Sequence, residues 1–392
     1  MINLMRNLPT LLLGWLAATV LLAPARSAES IEIKEYASAT QKPIPIALVG
    51  YTGEVASVLK FDLYVVGFAT VEESAAQYTL RGGNSGQVEG RLTDNVSKAV
   101  KFGKAYSGGS LRTQAHALAD DVVAAVTGKK GIATTKIAFK VVRGQNSEIY
   151  VSDYDGYDAK AVTHDGTVVA APTWMPGARR LYYTTYKFGN ADIVWHDVGT
   201  GERKVFARYT GSNISPAVAP DGRHVAMILS KGGSPDLYVA DPDGGNLRQL
   251  TRTREDESSP CWSPDSRTIC YATKMGGRRV LATISASGGT PRRLPTSGVA
   301  NPSEPDWSPD GKWIAFTSQM RNFEICVVPA GGGETKLYFS GEDPVWAPNS
   351  RTLIFTRRSG GGRVLSLLDV LTKQLKDVPH SLGICSQPTW AR

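Results

Sequence analysis

Five histidines are the first candidates for acid/base or metal chemistry in this chain: His116, His164, His196, His224 and His380. None stands at a metal-ligand spacing from another, whereas a zinc site needs His or Cys ligands at short, fixed intervals. His196-Asp197 comes nearest to an acid/base pair, but adjacent residues of a strand face opposite ways. A nucleophile elbow, G-x-S-x-G, is not found. Ser107-Gly-Gly109, Ser287-Gly-Gly289 and Ser359-Gly-Gly361 lack the leading glycine and read as turns. Gly82-Gly-Asn-Ser-Gly86 is followed by no Gly-Lys-Ser/Thr, so it reads as a surface turn rather than a phosphate loop. Cys261, Cys270, Cys326 and Cys385 match no zinc pattern. The first two flank the turn Ser263-Pro264-Asp265-Ser266, where they either face each other across a hairpin as a disulfide or point to opposite sheet faces.

The elements that carry these residues repeat. One phrase recurs at Pro172-Thr-Trp174, Pro216-Ala-Val-Ala-Pro220-Asp221-Gly222, Pro260-Cys-Trp262-Ser-Pro264-Asp265, Pro305-Asp-Trp307-Ser-Pro309-Asp310-Gly311, Pro344-Val-Trp346-Ala-Pro348-Asn349 and Pro388-Thr-Trp390, at intervals of 44, 44, 45, 39 and 44 residues. A period of this length signals a solenoid or a propeller. Each phrase precedes a short alternating strand, as after Pro-Asp-Gly turns, and a second strand pair follows, for example at Asp236–Asp241 and 324–328. Four antiparallel strands per unit make a propeller blade. The last copy supplies one strand, so Lys136 to Val142 and 148–153, upstream of the first copy, are expected to complete that blade and close the ring. The tryptophans are expected to pack between blades. A propeller lyase that gathers His, Arg and Tyr from separate blades, or a carbohydrate-binding propeller, stays open at this point.

Composition agrees with many tight turns: 392 residues contain 40 Gly and 22 Pro, with 42% hydrophobic residues. Residues 1–28 read as a signal peptide, with Arg6, an apolar run from Leu11 to Leu22, and small residues at Ala23, Ala25, Ser27 and Ala28. A membrane anchor would need about 20 apolar residues, but Pro24 and Arg26 interrupt. Export removes Arg6 and Arg26, changing the formal charge from 44 − 36 = +8 to 42 − 36 = +6. Arg278-Arg279, Arg292-Arg293 and Arg357-Arg358 sit beside turn residues and read as solvated hairpin tips. The phrases carry no basic-aromatic interleaving of the kind that binds nucleic acid. Residues 29–130 lack the repeat and read as a small α+β domain. Its expected strands are at Ile44 to Val49, Leu63 to Phe68 and Tyr78 to Arg81, and its expected helix is at Leu111 to Thr127, capped by Ser110 and stopped by Gly128. Residues 131–392 then form the propeller. The fold class is mainly β: a six-bladed β-propeller preceded by a small α+β N-terminal domain.

The chain resembles the TolB family of periplasmic Tol-Pal proteins. The resemblance rests on Val126-Thr127-Gly128 through Gly131 to Thr135-Lys136-Ile137-Ala138-Phe139, on Val151-Ser-Asp153-Tyr-Asp155-Gly156-Tyr157, and on the six phrases. It implies a monomeric periplasmic adaptor without enzyme activity or cofactor that supports outer-membrane integrity and cell division. The propeller would dock a peptidoglycan-associated lipoprotein, and an N-terminal arm around Ile31, Glu32 and Ile33 would engage a TolA-like protein. It also places Ser215, Ser259, Glu304, Asp343 and Gln387, each just before a phrase, at the channel mouth, with Asn213 and Ser258 nearby and Ala171 at the first copy's equivalent position. One departure stands out. Where the family has a long helical insertion, this chain has only about ten residues between Tyr51 and a strand expected to begin near Phe61.

Overall fold

The computed structural model describes residues 39–379 and 381–392; the signal segment, the arm residues Ile31, Glu32 and Ile33, and His380 lie outside them. The first described elements are the strands β1 (Ile44–Val49), β2 (Phe68–Thr70), β3 (Tyr78–Gly83), β4 (Val88–Asp94) and β5 (Val100–Tyr106), in the order β2-β1-β3-β4-β5. β1 runs parallel to both β2 and β3. Parallel neighbours need a crossover, and the chain supplies it as helix α1 (Gly53–Tyr64). This corrects two expectations. Phe61 and Leu63 belong to a helix, and the strand is Phe68–Thr70. Val55, Val58, Leu59 and Leu63 recur at helical spacing on its buried face, and that period outweighs the β-propensity of Val65-Val66-Gly67-Phe68. Helix α2 (Leu111–Thr127) begins at Ser110, whose side chain accepts a hydrogen bond from the Thr113 N–H, and stops at Gly128 with φ of +70°. Ala115, Leu118 and Val122 of α2 pack with α1 and the sheet.

Six four-stranded antiparallel sheets follow. We number the blades by sequence: blade 1 spans residues 169–207, blade 2 213–249, blade 3 258–294, blade 4 302–340, blade 5 342–377, and blade 6 combines Cys385–Trp390 with Lys136–Arg143, Asn146–Asp153 and Lys160–Ala161. In blade 6, Trp390 stands opposite Ile137 and Cys385 opposite Val141, so strands from either end of the propeller sequence share one sheet. The tryptophans pack between blades. Trp262 of blade 3 lies among Ala217, Ala219 and Ile228 of blade 2, and its indole N–H donates to the Ala217 carbonyl at 2.9 Å. Cys261 and Cys270 stand opposite each other on the same sheet face, yet both are buried free thiols. Burial pushes the Cys261 thiol well above its usual range, reinforced by its hydrogen bond with Cys270, and disulfide exchange needs a thiolate.

The small domain is fused to blades 5 and 6 by one continuous core. Leu59, Leu63, Leu118 and Val122 share it with Ile354, Leu367, Tyr154 and Trp390. Inside it, the Tyr154 hydroxyl donates to Asp62 at 2.5 Å, His116 Nδ1 lies 2.8 Å from the other Asp62 oxygen, and Arg112 pairs with Asp155. Gly156 turns this segment with φ of +86°, and a Cβ there would come within 2.6 Å of the Pro379 carbonyl oxygen. Burial by itself would lower the His116 pKa, but the hydrogen bond and charge of Asp62, with the charge of Asp155, outweigh it and raise the value above 6.5. A raised histidine value stabilises the fold below the unfolded pKa, and that contribution is lost as pH rises through the folded one. Replacing His116→Ala strands Asp62 beside Asp155 and is expected to cost roughly 3–5 kcal/mol. The difference in melting temperature between the variant and the parent should narrow as the pH is raised from neutral to alkaline, measured by calorimetry.

Candidate functional site: the propeller channel

The innermost strand of every blade carries the same irregularity. Ala171, Ser215, Ser259, Glu304, Asp343 and Gln387 each precede a proline and adopt φ of 49°, 54°, 51°, 52°, 57° and 51°. At each of them the ladder to the second strand skips register. Proline bars its predecessor from the right-handed helical region and cannot donate to the ladder. The strand escapes through a bulge, which aims the preceding residue at the axis. A non-glycine residue held at positive φ costs on the order of 1–3 kcal/mol and persists only where its surroundings enforce it. The six residues together form a ring around a hollow of about 370 Å³, whose other lining includes the six prolines, Trp174, Trp262, Asp306 and Arg392.

Side chains weld the ring across blade boundaries. Glu304 Oε2 of blade 4 accepts from the Thr317 hydroxyl at 2.6 Å and from the Asp343 N–H of blade 5 at 3.0 Å. Asp343 Oδ2 accepts from the Thr356 hydroxyl at 3.1 Å and from the Gln387 N–H of blade 6 at 3.2 Å. Gln387 Oε1 accepts from the Ala171 N–H of blade 1 at 3.0 Å, and the Ser215 N–H of blade 2 donates to Thr184 of blade 1 at 3.2 Å. Among the described residues, the hydroxyls of Ser215 and Ser259 have no partner, so they are the open hydrogen-bonding groups of the ring. Burial, then the charge of Glu304, pushes the Asp343 carboxyl up to about 7. At the far end of the hollow, Asp306 Oδ2 receives Arg392 Nη2 at 2.5 Å and the Trp346 N–H at 2.7 Å.

Five of the seven propeller residues singled out in the sequence therefore line one hollow. The other two do not. Asn213 is fully buried, donating to the carbonyls of Ala191, Tyr209 and Gly211 while accepting from the Tyr209 N–H. Ser258 receives Arg279 Nη2 at 2.8 Å, one residue outside the ring. Sequence reasoning did not reach Thr184, Thr317 and Thr356, which come into register with the ring only through the sheet ladders. Asp197 bonds the Gly199 and Thr200 N–H groups and makes no pair with His196. A second cluster, Asp62, His116 and Asp155, brings three potential ligand atoms within 4.8 Å of one another. Its carboxylates already accept from His116, Tyr154 and Arg112, and the Arg112 guanidinium sits where a cation would have to compete. It reads as a charge network built around Arg112, with His116 Nε2 left 3.7 Å from Asp155.

Residues 123–392 match the family model described as the TolB beta propeller domain. A Tol-Pal system protein TolB of Actinobacillus succinogenes is 32% identical over 206 residues, which is 48% of this chain and 46% of that protein. Another protein of that description, from Actinobacillus pleuropneumoniae, is 40% identical over 107 residues, 27% of this chain and 25% of that protein. The chain thus spans about half the length, or less, of the curated relatives it matches. The crystal structure of TolB from Acinetobacter baumannii superposes with a TM-score of 0.81 over 91% of this chain and 98% of that one, at 20% identity, so the two share a fold.

The ring generates a pH signature. A carboxyl whose folded pKa exceeds its unfolded one holds its proton more tightly in the folded protein, so its contribution to stability falls as pH rises from its ordinary 3.8 to about 7. Asp343→Asn keeps an oxygen to accept from Thr356 and Gln387 but removes the repulsion with Glu304. Its melting temperature should gain several degrees on the parent between pH 5 and pH 8, with little difference at pH 4.

Proposed function

The chain belongs to the TolB β-propeller family, and from that membership we propose that it is a non-catalytic periplasmic adaptor of the Tol-Pal type whose channel mouth docks the soluble domain of a peptidoglycan-associated lipoprotein. The observation that carries this reading is the ring of six left-handed residues around an open hollow. Six strained positions kept in register make a preformed concave receptor, and a preformed site spends little free energy on ordering when a partner enters. The relatives described as Tol-Pal system proteins support the partner class. Export through residues 1–28 delivers the chain to that compartment, and no helix among the described residues is long and apolar enough to cross a membrane.

In this reading residues 29–130 form the small domain and 131–392 the propeller. The segment around Ile31, Glu32 and Ile33 is an arm for a second, TolA-like partner, and the pair of contacts supports outer-membrane integrity during division. Docking rather than catalysis suits the chemistry of the hollow. Among the described residues no histidine lines it, and its Glu304 and Asp343 carboxyl groups are engaged by threonine hydroxyls and backbone N–H groups.

Calorimetric titration of residues 29–392 with the lipoprotein's soluble domain from the same organism tests the proposal. Ser215→Lys combined with Ser259→Lys fills the mouth without touching the welded side, and should weaken binding at least ~10-fold, about 1.4 kcal/mol, with the melting temperature nearly unchanged. Unaltered affinity would move the site away from the channel. No binding by the parent would remove the Tol-Pal assignment and leave the fold.

A further inference from the structure

Antiparallel blades have two distinct ends. The hairpins joining second and third strands all lie at the end where the inner strands begin, because Val169, Asn213, Ser258, Pro302, Glu342 and Cys385 pair with residues beside those hairpins. Each of the six hairpins carries an exposed cation: Arg143, Lys187, Lys231, Arg278, Arg321 and Arg358 in blades 6, 1, 2, 3, 4 and 5. Arg278, Arg321 and Arg358 have no carboxylate partner among the described residues. Lys187 pairs with Asp165 at 3.3 Å, but the Asp165 side chain is buried and already held by Arg203. At the opposite end, the Pro-Asp turns set Asp221, Asp265 and Asp310 two residues before Arg223, Arg267 and Lys312, so acids and cations alternate there. The hairpin cations are therefore largely unmatched, whereas acids and cations stand side by side at the opposite end, a difference that the modest net charge conceals.

The same face exposes apolar side chains. Tyr186, Phe188, Tyr209 and Met320 are 46%, 38%, 36% and 39% exposed. Aromatic residues, Met and Arg are the types enriched where proteins meet. The cations ring a hollow that bears Glu304 and Asp343 just inside it.

We infer that the hairpin face is a cationic docking collar that selects a folded protein partner with an acidic surface patch around an uncharged or basic protruding tip. The inference rests on the docking reading above and adds the chemistry of the partner. The acidic patch meets the collar, while the negative charge shared by Glu304 and Asp343 turns away an acidic tip, so attraction and repulsion are placed at different radii. A lipid surface satisfies the collar but cannot fill the hollow. Long-range attraction to such a collar acts mainly on the association rate and is screened by salt.

The test compares Arg278→Glu/Arg321→Glu/Arg358→Glu with Arg292→Glu/Arg293→Glu/Lys376→Glu. Both change net charge equally, but the second set lies exposed on the outermost strands of blades 3 and 5. Circular dichroism and melting temperature confirm that each variant folds, and association with the lipoprotein's soluble domain is followed against NaCl concentration. The collar variant should lose ~10-fold or more in association rate at low salt and most of the parent's salt dependence, while the outer-strand variant changes less than ~2-fold. Equal losses in both variants, or none in either, would overturn the collar while leaving docking at the channel in place. Capture of the parent by phosphatidylglycerol vesicles, lost in the collar variant while lipoprotein binding is kept, would assign the collar to a lipid surface instead. A parent that binds no lipoprotein domain at any salt would remove the docking reading and the collar with it.

Discussion

Ring closure is the constraint on which everything else depends. Five blades are continuous in sequence, and the sixth exists only because Cys385–Trp390 pairs with Lys136–Arg143. Without that ladder two sheet edges would lie open, each a row of unpaired backbone groups. The hollow would also lose its fixed circumference, and with it the spacing of the six ring residues. Closure brings strands more than two hundred residues apart into register, so the loop entropy is recovered only when the whole ring has formed. Trp390 serves both tasks: it ends the closing strand, and its indole N–H donates to Thr135 at 2.7 Å at the joint with the small domain.

The bulge before each proline makes the channel a polar site. Without it, inner-strand residues would alternate regularly between the two faces of their blade. With it, one residue per blade is held at positive φ, and its backbone N–H is freed from its own blade. In blades 1, 2, 5 and 6 that N–H is taken up by a side chain of the preceding blade. The ring is thus asymmetric. The arc from blade 4 to blade 1 is welded through acids and Gln387, whereas Ser215 and Ser259 keep free hydroxyls toward the hollow. One side holds the ring together and the other is open to a guest.

The small domain is tied to the propeller by more than a linker. The Asp62, His116, Tyr154, Asp155 and Arg112 network is buried within a shared apolar core, where unpaired charge is most costly. Gly156 is required at this turn because its φ is positive and the Pro379 carbonyl leaves no space for a side chain. The structure therefore gives a physical role to Asp153-Tyr-Asp155-Gly156-Tyr157, which in the sequence is only a recognisable string.

The periodic phrase, with its proline, tryptophan and Pro-Asp turn, is local chemistry repeated six times. Local chemistry is legible in a sequence, so the blade count, the closing strand, the Ser110 and Gly128 caps and the positions of the ring residues could all be read from it. Helix α1 was less legible because Val65 and Phe68 resemble a strand, and only the parallel order of β1 and β2 demands a crossover there. The separate fates of Asn213 and Glu304 were not legible at all. Both stand near the start of an inner strand, but one turns into its own blade boundary and the other toward the axis. That choice is made by register against a neighbouring blade, as are the partners Thr317 and Thr356 and the gathering of six hairpin cations on one face. Spacing along the chain determined which residues repeat, and closing the ring in three dimensions decided which of them meet.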